Sequence, residues 1–397
     1  MQPEYNTDTP SSLVAAGLLQ GRAINLDTAS VHALDQRAGV CAGSVTLRLP
    51  WIVKFVGGRT DAVAIKTQHD VHDTKQPRHP WREIQLMHGM SHLNVVKILN
   101  AYRIQTDTPT PRLVTFMPLY DFSLRDLLDH ETFVPSSGES EGYELVAHSI
   151  AHQLLQAVAY IHDNDVAHRD INPSNVVMSS YGRVVLIDFG IAIKNGDETP
   201  GEMHFQVGTQ PYRAPELIFA SKQYDAQAID VWALGATLSE LYLPIVPCPQ
   251  KSDRASSSSS TSEDDSEQKP RRARLFEPNS TDFALAASIF RVLGTPDEES
   301  WPESKDLPSF KFFTFQDFGA PKLSDKLVHQ PESPRESLVA LIQMMLQYPS
   351  QDRLRPRRAL QDSVWNKVVM AREPNIGERC TSLAYYLERY RPSSVFS

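Results

Sequence analysis

"VAHRDINPSN" (166–175) and "RVVLIDFG" (183–190) decide how the chain is read. The first places Asn175 five residues after Asp170, and the second is a buried strand ending in Asp188. Asn175 and Asp188 are oxygen donors suited to Mg²⁺, which takes few protein ligands and completes its shell with phosphate oxygens. Asp170 is then free to orient a hydroxyl and accept its proton. A lone Asp-Phe-Gly is ordinarily a turn at a strand end. Its place after "HRDINPSN" makes it part of a site.

Upstream, "SVTLRL" (44–49), "WIVKFV" (51–56) and "AVAIKT" (62–67) read as strands, with "GGRTD" (57–61) as a turn. Side chains alternate along a strand, so Ala64 and Lys66 share a face. A small residue beside a lysine leaves room for a flat ring and offers a cation to phosphates. Glu83, in the helical stretch "HPWREIQLMHGMSH" (79–92), is placed to pair with Lys66 and fix its ammonium. "PRLVTFM" (111–117) is a further strand. The first third is therefore mostly sheet with one helix.

Beyond Tyr120 the pattern turns helical. "YELVAHSIAHQLLQAVAYIHD" (143–163) carries Val146, Ile150, Leu154 and Val158 at i+4 spacing, closed by Ile161. "AIDVWALGATLSELYL" (228–243) and "SLVALIQMMLQY" (337–348) are apolar helices. In "GTQPYRAPE" (208–216), Glu216 is expected to pair with Arg353, and Asp230 to hold the His-Arg-Asp backbone as an N-cap does. "QKSDRASSSSSTSEDDSEQKPRRAR" (250–274) has almost nothing apolar to bury and is expected to be a disordered insertion.

Hydrophobic residues make up 41% and charged residues 22% of 397, which is ordinary for a soluble globular protein. A net charge of −9 argues against a broad nucleic-acid-binding face. Cys41, Cys248 and Cys380 lack metal-ligand spacing and suggest a reducing compartment. No basic start with an apolar run, and no run of 18 apolar residues, occurs, so neither secretion nor membrane spanning is expected.

"VAIK", "HRD…N", "DFG", "APE" and "DVWALG" stand in the order and spacing of the eukaryotic protein kinases, which the chain resembles from about residue 36 to 370. "YRAPEL", "IFRVLGTPDEESWP" (289–302) and "HLNVVKI" (92–98) resemble the cyclin-dependent-kinase branch. Within that branch, residues 208–241 resemble the fungal CDK-activating kinases that work as single chains. The resemblance implies an α+β, bilobal protein kinase fold: a small β-rich N-lobe (36–117) and a larger α-helical C-lobe (118–370). An N-terminal extension (1–35) and a C-terminal tail (371–397) flank it. It implies ATP with Mg²⁺, and transfer to protein Ser/Thr in the cytoplasm or nucleus. Cyclin-dependent kinases are the candidate substrates. Lys66, Glu83 and Asp170 take the catalytic roles, and Asn175 and Asp188 the metal. Gly43, Val45, Ala64, Lys66, Thr115, Phe116 and Met117 take the nucleotide. Val114 or Thr115 is the gatekeeper.

Three departures stand out. The first two glycines of the phosphate-binding loop fall on Ala38 and Val40, leaving Gly43. Asn172 replaces the lysine that touches the transferred phosphate, which costs roughly 1 kcal/mol, about tenfold in rate. The usual phosphothreonine falls on His204. Of its three clamping arginines, Arg82 and Arg169 remain and the third is Ile193. Glu202 is the expected fixed negative charge. The chain is therefore expected to act as a monomer, with neither cyclin nor loop phosphorylation. The alternatives are a cyclin-dependent-kinase-like enzyme with other substrates, and a pseudokinase scaffold. A small-molecule phosphotransferase is disfavoured by "APE", which shapes a peptide shelf.

Overall fold

The structure, a computed structural model, describes residues 40–390 except 42–43, 55–59, 70–76, 105–111, 135–139, 248–269, 278–280, 320, 328–337 and 368–382. The N-terminal part is one antiparallel sheet built from β1 (Val40–Cys41), β2 (Ser44–Lys54), β3 (Thr60–His69), β4 (Asn100–Ile104) and β5 (Arg112–Pro118). Its strand order is β1-β2-β3-β5-β4. β2 runs straight through Pro50, where the sequence suggested two strands, and its register against β3 shifts between Leu49 and Val53. Proline lacks the ladder N–H, so pairing slips there.

Helix α1 (Pro80–Gly89) joins the sheet to the site. His79 caps it, its Nδ1 accepting from Arg82 N–H at 3.1 Å, and Pro80 occupies the first turn where no N–H is needed. Trp81, Ile84 and Met87 bury one face of α1, and Glu83 is turned inward with them.

The larger part is helical. It comprises α2 (Leu124–Leu128), α3 (Ser140–Asp163), α4 (Ala226–Ser239), α5 (Asp282–Leu293) and α6 (Leu338–Met345). Val146, Ile150, Leu154, Val158 and Ile161 of α3 are all fully buried, as their spacing predicts. α4 is buried from Ala228 to Ser239, and Asp225 caps it with two 2.9 Å bonds to the amides of Gln227 and Ala228. Between the helices run the short strands β6 (Phe122–Ser123), β7 (Val166–Ala167), β8 (Val176–Met178), β9 (Val184–Leu186) and β10 (Ile193–Lys194). "HLNVVKI" docks on β9: Val96 N–H reaches Leu186 O at 3.0 Å, and Leu186 N–H reaches Asn94 O at 2.9 Å.

Two boundary expectations change. The end of the Ser-rich insertion is ordered: Arg271–Arg272 pairs with Ile245–Val246. Arg272 is buried and donates to the carbonyls of Leu128, Leu243 and Phe133. The segment read as a disordered insertion thus ends in a side chain that caps backbone carbonyls inside the lobe. The C-lobe also does not stop at 370. Leu383 and Leu387 are buried, and Tyr390 packs against Phe133 and Tyr143 with ring centres 5.3 and 6.2 Å apart. The N-terminal extension, Ala38 and Gly43 lie outside the described residues. No helix among the described residues is long and apolar enough to cross a membrane.

Candidate active site

Lys66 on β3 and Glu83 on α1 meet as an ion pair at 2.5 Å, 4% and 2% exposed. Gln68, two residues along the same face, donates to the other Glu83 oxygen at 2.7 Å. Lys66 also donates to Asp188 Oδ1 at 2.7 Å. Burial disfavours its ammonium, but the Glu83 and Asp188 carboxylates outweigh that and hold its pKa above the usual lysine value.

The ladder orders β5. Thr115 lies opposite Lys66 and Met117 opposite Ala64, so these four share a face, and Val114 and Phe116 face the other way. Of the two gatekeeper candidates, Thr115 is on the Lys66 side. The strand persists to Pro118, and Phe116 O is already taken by Leu99 N–H at 2.8 Å. Val45 is paired with Val40 and Thr67 in the sheet.

The catalytic loop hangs from α4. Asp230 accepts the amides of His168 and Arg169, each at 2.7 Å. This clamp holds Arg169 at φ +65°, a left-handed conformation that costs a non-glycine residue strain. His168 Nδ1 accepts from Asp170 N–H at 3.2 Å, so Nε2 carries the proton it gives Ile187 O at 2.9 Å. One histidine therefore ties "HRD" to the strand ending in Asp188, which itself sits at φ +64°.

Asp170 is the centre of convergence. Its Oδ1 accepts from Thr209 N–H at 2.8 Å, Thr209 Oγ1–H at 2.7 Å and Asn172 Nδ2 at 3.1 Å. Its Oδ2 accepts from Asn175 Nδ2 at 2.9 Å. Burial pushes its pKa up, and the Thr209 hydroxyl opposes that. Asp188 lies the other way: burial would raise it, but Lys66 and then Arg78 hold it well below the usual carboxylate range. With the Asn175 amide nitrogen spent on Asp170, its Oδ1 remains as an oxygen donor that could serve one cation together with ionised Asp188. One amide oxygen and one carboxylate fit Mg²⁺ shared with phosphate. Among the described residues no group of three or more His, Cys, Asp or Glu could hold a metal without such help.

Asn172 does more than fill the lysine position. It is 4% exposed. Its Nδ2 also reaches Asp170 O and Thr209 Oγ1, at 3.1 and 3.2 Å, and its Oδ1 accepts from Ser174 N–H at 2.9 Å. It knits the loop to the activation segment, the stretch from Asp188 to Glu216. Gly208, at φ +81°, allows that approach, since a Cβ there would sit 3.1 Å from Arg169 O.

The fixed negative charge is Glu198, not Glu202. Glu198 makes a two-pronged bond to Arg169 at 2.9 and 3.0 Å, lies 3.8 Å from Arg82, and accepts from His204 N–H at 3.4 Å. Asp197 lies 3.6 Å from the same Arg82. Glu202 is exposed. Glu202 was the expected charge, but a turn closed by Asp197 N–H to Lys194 O at 3.0 Å precedes Glu198, and it is this earlier carboxylate that meets the arginines. Ile193, the third clamp position, is buried in β10 opposite Ala167. The expected Glu216–Arg353 pair forms with two bonds of 2.7 and 2.8 Å. Arg78 was not singled out from the sequence, because no motif marks it. It stands 3.6 Å from Asp188 Oδ1.

Comparison with known proteins identifies the family. Residues 53–365 match the family model described as "Protein kinase domain". The chain is 29% identical over 261 residues to "Cyclin-dependent kinase 20" of Danio rerio, covering 66% of this chain and 65% of that protein. It is 30% identical over 235 residues to "Cyclin-dependent kinase 7" of Carassius auratus, covering 58% of this chain and 56% of that protein. The chain thus spans about two thirds of the zebrafish relative's length. A solved structure of the yeast RNA Pol II CTD kinase CTDK-1 complex superposes with a TM-score of 0.59 at 22% identity, over 85% of this chain and 97% of that one. At that identity it shows the fold alone.

Proposed function

The chain belongs to the protein kinase domain family, and from that premise we propose that it transfers the γ-phosphate of ATP to protein serine or threonine as a CDK-activating-type kinase. The observation that carries this reading is the state of Asp170. A buried carboxylate with raised proton affinity is fixed by Thr209, Asn172 and Asn175. Asp170 orients the incoming hydroxyl and takes its proton. Lys66, steadied by Glu83, offers its ammonium to the nucleotide phosphates. Mg²⁺, held by Asn175 and Asp188, would supply charge neutralisation at the phosphates. Thr209, Tyr212, Ala214 and Leu217 line a small hollow beside Asp170.

The reading extends to regulation. The Glu198–Arg169 bond stands where the family places a phosphate, so the activation segment is ordered by its own carboxylate. The chain then works as a monomer, without cyclin and without loop phosphorylation. The test is a radiolabelled ATP assay of the bacterially expressed single chain against monomeric cyclin-dependent kinases and a general basic protein. Phosphatase treatment should leave the rate unchanged. A chain inert until a cyclin-like partner or an upstream kinase is added would overturn the regulatory part. Labelling of the basic protein but of no cyclin-dependent kinase would overturn the substrate.

A further inference from the structure

We propose that Arg78 is a phosphate-binding residue of the nucleotide site, taking the terminal phosphates of a nucleoside triphosphate with Lys66. The inference rests on the kinase reading and adds a residue to it.

The geometry begins at the start of α1. His79 N–H donates to Gly190 O at 3.1 Å, which pins the chain before α1 onto the turn after Asp188. Arg78 is thereby laid over that turn. A Cβ on Gly190 would come within 2.6 Å of Arg78 Nη1, so a glycine at 190 is what lets the guanidinium lie there. Nη1 is buried, makes no hydrogen bond, and stands 3.6 Å from Asp188 Oδ1. Lys66 Nζ is 2.7 Å from that same oxygen. Two cations thus converge on one carboxylate oxygen, and only Lys66 is hydrogen-bonded to it. Glu83 balances Lys66, whereas Arg78 has donor capacity left over at the place where an anion carrying several charges would sit.

Two places that the family resemblance assigns to the phosphates offer it less than usual. Asn172 is neutral, and two phosphate-loop positions carry Ala38 and Val40 in place of glycine. A guanidinium presents paired N–H groups that match phosphate oxygens, so a single arginine can supply what the loop and position 172 do not.

The test uses the full-length chain and calorimetric binding of a non-hydrolysable ATP analogue, ADP and adenosine, with Mg²⁺ present. Arg78→Met should raise the Kd of the ATP analogue about tenfold, leave adenosine unchanged, and leave the melting temperature near wild type. Arg78→Lys should recover part of the loss. Asn172→Lys placed in the Arg78→Met background should recover part of it as well, because it returns a cation to the phosphates. Unchanged affinity for the ATP analogue in Arg78→Met would overturn the inference, as would an equal loss for adenosine, which would mean a distorted pocket. Failure of the wild-type chain to bind the ATP analogue would instead bring down the kinase reading itself.

Discussion

Asp170 must be ionised to take a proton, and its burial sets the pH at which that happens. Its pKa lies above the ordinary carboxylate value of about 3.9, so the acid limb of kcat/KM should fall above that pH. Thr209 stabilises the carboxylate with its hydroxyl, so Thr209→Ala should move the limb to still higher pH; an unmoved limb in a pH–rate profile would remove Asp170 from the role of base. Asp170→Asn should abolish transfer and leave nucleotide binding within a few-fold of wild type. Asn172 works at the same scale. Its side chain bridges Asp170, Thr209 and Ser174, so Asn172→Ala should lower kcat about tenfold, the cost of roughly one to two net hydrogen bonds. From the sequence Asn172 read only as a lost charge. The contact that carries this brace across the fold is the one to Thr209, 37 positions away.

The activation segment is ordered by a pairing between elements that lie far apart in the chain. Glu198 meets Arg169 of the catalytic loop, and Arg82 of α1 stands beside it, so the segment, the loop and the helix are locked together by one carboxylate. Glu198→Ala should lower kcat by about 10- to 150-fold, since hydrogen bonds to charged partners contribute about 1.5–3 kcal/mol. Glu202→Ala should be near neutral, because its side chain is exposed. Equal effects of the two in a steady-state assay would sink the assignment. Burial raises the Glu198 pKa, but the Arg169 bonds outweigh that and hold it below its ordinary value. The latch therefore contributes stability above about pH 4.3 and loses it as pH falls through the depressed value, so it stays closed near neutrality.

At the scale of the whole molecule, Glu216 and Arg353 join segments 137 residues apart. Arg353 is 2% exposed and lies over the Trp232 ring at 5.1 Å, with further bonds to the carbonyls of Gln347, Ala228 and Tyr348. Glu216→Ala leaves that cation buried without its counter-charge, and should cost about 3–5 kcal/mol in denaturant unfolding. A loss under 1 kcal/mol would mean that the carbonyls alone suffice. The sequence by itself determined the architecture and the reacting groups. Lys66, Glu83, Asp170, Asn175 and Asp188 are marked by local spacing, and the α3 stripe by helical periodicity, both of which are written along the chain. Tertiary structure alone decided which partner each charge takes. Glu198 rather than Glu202 meets the arginines, Arg272 caps carbonyls inside the lobe, Leu383 and Leu387 complete the core beyond 370, and Arg78 reaches Asp188. The physical reason is that a side chain's local pattern encodes burial and direction on its own element. The identity of a partner far along the chain is set only when the turns between them fix where both elements lie.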